Sequence, residues 1–138
     1  MGLYLGDLDY CIKEQQVKDH LVDAWEVLNV LLDRYDILLA YEHVGSWGCD
    51  SSGFYILKDK KTKELYEVHG SHDSTCGFEG QFELEKTSIE FLMKENYIEH
   101  LTFGGYDDDV EDHKQKIQNF LNESFGLWYC IDSLEKNN

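Results

Sequence analysis

The sequence predicts an α+β fold, in which a long N-terminal helix packs on an antiparallel sheet of three or four strands and two further helices follow. Two observations lead to this prediction: a stripe of apolar residues at helical spacing near the N-terminus, and several short apolar or alternating runs in the middle of the chain. The 138 residues include no proline, so no rigid linker divides them. We therefore expect a single domain over residues 1–138.

The N-terminal helix is predicted from apolar residues that recur at steps of three and four. The stripe consists of Val17, Leu21, Trp25, Leu28, Leu32 and Tyr35. This spacing indicates a helix over about residues 10–35, with the stripe in the core. The side chains of Asp19, Asp23 and Glu26 lie off the stripe and give the helix an acidic outer face.

The sheet is predicted from runs that are bounded by turn-forming residues. The predicted strands are residues 36–43, 53–59 and 64–70, with 81–85 as the fourth strand. The second and third are separated by DKKTKE, which contains no glycine. This connection indicates a hairpin with a loop of about four to six residues.

Two helices are expected after the sheet. Residues 87–90 (TSIE) match a capping box, in which the threonine hydroxyl accepts a hydrogen bond from a backbone N–H of the helix. A short helix is therefore expected to begin there and to end near Asn96. The second helix follows the acidic run 107–112, whose carboxylates complement a helix N-terminus. We predict that Gly126 ends this helix and that residues 127–131 form a packed strand or tail.

The net charge of −16 is the strongest global feature, with 28 acidic side chains against 12 basic ones. This charge disfavours nucleic acid as a direct ligand and attracts a basic protein, particularly one with a nucleic-acid groove. The carboxylates predicted to contact such a partner are Asp19, Asp23, Glu26, Asp107, Asp108, Asp109, Glu111 and Asp112. The alternative is that the acidity only keeps a small protein soluble.

A loop rich in histidine and cysteine offers a second kind of site. His69, His72 and Cys76 could bind a metal ion together with Cys49 from the preceding loop. Their spacing lacks the paired ligands of zinc sites, and the run 107–112 lacks the glycine and terminal glutamate of a calcium-binding loop. We therefore predict no metal and no cofactor.

Catalytic motifs are not evident in the sequence. Cys76 and the nearby histidines contain the parts of a thiol–imidazole pair, but such groups are normally assembled from distant segments around a pocket. The chain has no phosphate-binding loop with a Lys-Ser/Thr pair, no HExxH motif and no nucleophile elbow. The sequence does not predict an enzyme.

Three segments, GSWGCDSSGFYIL, LYEVHGSHDSTCGFEGQF and EKTSIEFL, resemble small phage and prophage proteins with a Gly-Ser-His-Cys-Ser-Cys loop followed by Gly-x-Glu-Gly-Gln-Trp. The resemblance covers Glu42 to Leu92. Asp73 and Thr75 stand where that pattern has cysteines, and Phe82 replaces the tryptophan.

This resemblance implies an anti-CRISPR-like inhibitor that presents carboxylates to the basic groove of a host nucleic-acid-binding or defence protein, such as a CRISPR effector or another nuclease. One alternative is a metal- or nucleotide-binding domain that uses the loop 69–80. Another is an immunity-type or stress-related protein partner with no connection to nucleic acid.

The expected location is the cytoplasm of the host cell. The four cysteines form no CxxC pair, and the N-terminus has neither a basic region nor an apolar stretch typical of a secretion signal. No run approaches the roughly 18 apolar residues that a membrane helix needs. We therefore expect no membrane contact.

Overall fold

A five-stranded mixed sheet forms the middle layer of the protein in the computed structural model, which describes residues 2–45, 50–72 and 77–136, with only the backbone from residue 128 onward. The strands are β1 (Leu3–Gly6), β2 (Tyr35–His43), β3 (Ser51–Asp59), β4 (Leu65–His72) and β5 (Glu85–Thr87), and they lie in this order across the sheet. β1 runs parallel to β2, and the other neighbours are antiparallel. The prediction of a purely antiparallel sheet was therefore wrong.

Helices cover both faces of the sheet. They are α1 (Glu14–Ala24), α2 (Asn29–Leu32), α3 (Ile89–Leu92), a 3-10 turn (Ile98–His100) and α4 (Val110–Lys136). One apolar cluster joins α1 and α2 to one face of the sheet, and a second joins α3, the 3-10 turn and α4 to the other face. The α+β class is confirmed. In the part of the chain that the structure describes, no helix is long and apolar enough to cross a membrane.

The predicted long N-terminal helix is two short helices. α1 ends at Ala24, and Glu26 adopts a left-handed backbone conformation with φ of 56°, which turns the chain away from the helix axis. Leu28, which the apolar stripe assigned to the core, is 71% exposed. The sequence gives no signal for this break because neither glycine nor proline marks it.

The longest helix of the described chain is α4, at its C-terminal end. It continues through Gly126, so the predicted helix end at that residue was wrong, as was the strand or tail at 127–131. A single glycine costs a helix only about 1 kcal/mol relative to alanine. Burial of Ile117, Leu121 and Phe125 against the sheet is large enough to outweigh that cost.

The three central strands are confirmed to within two residues at each end, because each is an apolar or alternating run that ends at a turn. The fourth strand is shorter and later than predicted, at Glu85–Thr87. The following helix is capped by Ser88, whose hydroxyl accepts from the Phe91 N–H at 3.1 Å, and not by Thr87, which ends β5. That helix ends at Leu92, four residues before the predicted end.

A bulge in β2 determines which side chains face each helix layer. The pairing with β3 shifts between Ile37 and Leu39, so Ile37 and Ala40 lie on the α1 face although strict alternation would place them on opposite faces. As a consequence Glu42 faces α1, and Tyr41 faces α4. The Ile37 N–H donates to the Glu14 carboxylate, which ties the start of α1 to the bulge.

Two glycine substitutions test this packing. A Cβ atom at Gly70 would lie 2.5 Å from the Trp25 ring, so Gly70→Ala is expected to reduce the free energy of unfolding by about 1–3 kcal/mol through overpacking. The matched control is Gly126→Ala in α4, where a Cβ atom would meet nothing within 4 Å, and it should increase stability by about 0.5–1 kcal/mol. Urea unfolding measures both, and a neutral Gly70→Ala variant would contradict the packing.

Candidate functional site

The histidines gather at one end of the sheet, where β2 finishes. Five of the six in the chain lie there: His20, His43, His69, His72 and His113. His43 pairs with Ser52, and His72 pairs with Ser51, so the ends of three strands meet. We call this region the histidine end. The residues that flank segments 46–49 and 73–76 also lie there, whereas Cys49 and Cys76 are outside the described residues.

A buried carboxylate is the centre of the histidine end on the α1 face. The side chain of Glu42 is 3% exposed, and its Oε2 atom receives three hydrogen bonds. Trp25 Nε1 donates at 3.1 Å, the Tyr55 hydroxyl at 3.0 Å and His20 Nε2 at 2.6 Å. These bonds compensate for the loss of hydration that a buried carboxylate suffers, and they join α1 to β2 and β3.

The same carboxylate changes the acidity of its neighbours. The hydrogen bond to Glu42 raises the pKa of His20, with smaller contributions from Asp23 and Asp7, although burial of the ring opposes the shift. Burial, together with the negative charge of Glu42, raises the pKa of Tyr55 well above its ordinary value. His20 therefore keeps its proton to a higher pH than an ordinary histidine does.

Trp25 lies against the sheet at a place where only glycine leaves room. Its ring approaches the Gly53 and Gly70 backbones so closely that Cβ atoms there would lie 3.0 and 2.5 Å from it. The Phe78 ring stacks on the other side of the indole, at 4.5 Å between centroids and 2° between planes. The indole is thus held between two strands and the segment 77–84.

The segment 77–84 contains the Gly-Phe-Glu-Gly-Gln motif, and its residues have structural roles. Gly80 has a φ of 79° in a turn closed by a hydrogen bond from the Gln81 N–H to the Phe78 carbonyl. The Gln81 side chain accepts from the Ser71 N–H at 3.0 Å and donates to the Gly77 carbonyl at 2.9 Å. The motif therefore fixes the segment to the end of β4.

A second carboxylate organises the histidine end on the α4 face. Asp107 Oδ2 accepts from the Tyr41 hydroxyl at 2.7 Å and lies 2.9 Å from His113 Nδ1. Burial alone would raise the pKa of Asp107, but hydrogen bonds from Tyr41, the Asp109 N–H and His113 lower it. The sequence contains no signal for the role of His113, because only the fold brings the first turn of α4 against β2.

Three potential metal ligands come together in this second group. Asp107, Asp109 and His113 each offer one atom, and these atoms lie within 4.8 Å of one another. One nitrogen and two carboxylate oxygens suit a transition metal better than calcium, which prefers oxygen ligands alone. In the described structure, however, Asp107 already accepts hydrogen bonds from Tyr41 and from the Asp109 N–H.

The loop histidines considered as metal ligands are on opposite faces of the sheet. His69 lies near the Phe54 ring on the α4 face, with 6.1 Å between ring centroids. His72 contacts Phe78 on the α1 face at 4.4 Å. Side chains three residues apart on a strand point to opposite sides, so the described geometry does not bring these two histidines to one ion.

The carboxylates predicted to contact a partner are divided between two surfaces. Asp19 and Asp23 are exposed on α1, Glu26 is exposed just after it, and Asp108, Asp109, Glu111 and Asp112 are exposed before and on α4. Asp107 differs from them, because its side chain is only 4% exposed and serves as an internal acceptor. α1 and α4 cover opposite faces of the sheet, so the two surfaces do not form one continuous face.

Comparison with known proteins adds no identification: no family model, curated protein or solved structure matches the chain.

The pKa of His20 predicts a pH-dependent contribution to stability. A histidine whose pKa is raised on folding stabilises the protein fully below its unfolded value of 6.5, and the contribution is lost as pH rises through the folded value. The difference in the free energy of unfolding between wild type and His20→Gln should therefore be larger near pH 6 than near pH 9. Urea unfolding at both pH values measures it. His100→Gln, at an exposed site, is the control, and an equal difference at both pH values would contradict the prediction.

The prediction that the protein binds no zinc is tested by elemental analysis. We expect less than stoichiometric zinc after dialysis, because the described loop histidines lie on opposite faces of the sheet. A stoichiometric content would contradict the prediction. His69→Ala and His113→Ala would then distinguish a site in the loop from the group around Asp107.

Proposed function

We propose that the protein binds a basic protein partner and blocks its nucleic-acid groove by means of exposed carboxylates. The net charge of −16 supports this proposal, because it favours association with a positively charged surface. The resemblance of residues 42–92 to small phage proteins supports a host defence protein, such as a nuclease, as the target. The chemistry requires only that carboxylates are held on a rigid element.

The observation that carries the proposal is the acidic α1 face, formed by Asp19 and Asp23 on the helix and by Glu26 just after its C-cap. Asp19, Asp23 and Glu26 are exposed, and none forms an ion pair with a lysine or arginine among the described residues. The nearest lysine along the helix, Lys18, is buried and lies 3.8 Å from Glu14. These three negative charges are therefore available to a partner.

The helix is a rigid support for Asp19 and Asp23, and Glu26 lies in the turn directly after it. The Glu14 carboxylate ties the start of the helix to the β2 bulge. Hydrogen bonds from Trp25 and His20 to the Glu42 carboxylate fix its end. Rigid placement reduces the entropy lost when the carboxylates bind lysine or arginine side chains. The α1 face is consequently a better binding surface than a flexible acidic tail would be.

The acidic run 107–112, before and at the start of α4, contributes less to the proposed surface. Glu111 and Asp112 lie 3.6 and 2.9 Å from the Lys114 and Lys116 ammonium groups. Asp107 is an internal acceptor, so its replacement by lysine would disturb the fold rather than test binding. Asp108 and Asp109 remain as exposed carboxylates without a described ion pair.

Charge reversal tests the α1 face. The triple variant Asp19→Lys, Asp23→Lys, Glu26→Lys should weaken binding of a captured basic protein by about tenfold, since each exposed pair contributes roughly 0.2–1 kcal/mol. The control triple variant, Glu83→Lys, Glu95→Lys, Glu123→Lys, changes the net charge equally at exposed sites elsewhere. Affinity capture from host lysate at low and high salt, followed by titration of the purified partner, measures binding.

The same partner must also lose nucleic acid when this protein binds. We expect competition with a labelled oligonucleotide, and the competition should weaken in the α1 triple variant as binding does. Equal binding by the two triple variants, or a ternary complex that retains the oligonucleotide, would contradict the proposal.

A further inference from the structure

An open pocket lies at the β5 edge of the sheet, on the α4 face and therefore on the opposite side of the sheet from α1. Its volume is about 490 Å³. The lining residues are Glu67, Glu85, Lys86, Thr87, Ser88 and Phe91. The pocket thus combines two carboxylates with an aromatic ring, and it contains none of the exposed carboxylates on or near α1.

The two carboxylates come from residues that are directly opposite each other. Glu67 on β4 pairs with Glu85 on β5. Side chains at such positions are about 4.5–5.5 Å apart at Cβ, and like charges there repel. A cation between the carboxylates would convert that repulsion into attraction.

Glu67 supplies a buried negative charge to the pocket. Its side chain is 9% exposed, and it accepts a hydrogen bond from the Tyr97 hydroxyl at 2.5 Å and lies 3.2 Å from His69 Nε2. Burial opposes ionisation, yet the hydrogen bonds from His69 and Tyr97 lower the pKa of Glu67. The group is therefore a carboxylate at neutral pH.

The described lysines leave this charge without an ammonium partner. Lys86 lines the pocket, but its Nζ atom bonds Glu64 at 3.1 Å, outside the pocket. No lysine or arginine among the described residues forms an ion pair with Glu67 or Glu85. Two acidic side chains line the pocket, and the one lysine that lines it is paired with Glu64. The net charge of the lining is therefore negative.

The aromatic wall favours an organic cation over a hydrated metal ion. Phe91 is 43% exposed, and the chain's own Lys94 ammonium group lies 5.4 Å from its ring centroid, so the ring already takes part in one cation–π contact. An alkylammonium group can contact carboxylates with its charge and the ring with its methylene groups.

We propose that this pocket binds a primary alkylammonium group, such as the end of a lysine side chain or of a free amine. Glu67 and Glu85 contact the ammonium nitrogen, and Phe91 contacts the adjoining methylene groups. The site is independent of the exposed carboxylates on α1, so either proposal can fail without the other.

Amide chemical shifts provide the test. We expect N-acetyl-lysine N-methylamide and n-butylamine to shift the amide signals of residues 85–91 in the full chain, whereas the uncharged N-acetyl-norleucine N-methylamide does not. Tighter binding of the lysine compound assigns the site to a protein side chain, and equal binding assigns it to a free amine.

Substitutions connect the signal to the pocket. Glu85→Gln at an exposed strand position and Phe91→Leu should each weaken binding at least about threefold, and Glu67→Gln about tenfold. Glu83→Gln, which removes the same charge outside the pocket, should change binding less than about twofold. Equal shifts with the uncharged compound, unchanged binding by the Glu85 and Phe91 variants, or shifts with magnesium alone would overturn the proposal.

Discussion

The hydrogen bonds to the buried Glu42 carboxylate are the interaction on which the rest of the structure depends. Trp25, Tyr55 and His20 donate to one oxygen and so connect α1, β2 and β3. A buried carboxylate without such donors would cost several kcal/mol. The helix position is therefore determined by a polar group as well as by apolar contact, since a misplaced α1 would leave that charge unsatisfied.

The position of Trp25 in turn determines the shape of the histidine end. Its ring needs the glycines at 53 and 70 on one side and receives Phe78 on the other. The segment 77–84 is thereby held against the sheet, and Gln81 fixes it to β4. Residues that resemble a functional motif in the sequence thus have a packing role in the described structure.

Carboxylates in this protein have two distinct physical roles. Glu42, Glu67 and Asp107 are buried acceptors for tyrosine, histidine and tryptophan donors. Asp19, Asp23 and Glu26 are exposed and form no ion pair with a described lysine or arginine. The sequence cannot separate the two roles, because burial depends on which elements pack together. Asp107, predicted as a binding residue and found as an internal acceptor, shows the difference.

The sequence by itself determined the α+β class, the three central strands and the excess of negative charge, because alternation, turn residues and composition are local properties. Only the tertiary structure decided the rest. β1 is only four residues long, and its partner β2 follows α1 and α2 in the sequence. No local pattern therefore specifies β1. The β2 bulge reverses the alternation and directs Glu42 to Trp25. The break after α1 and the continuation of α4 past Gly126 follow from packing that outweighs local propensity.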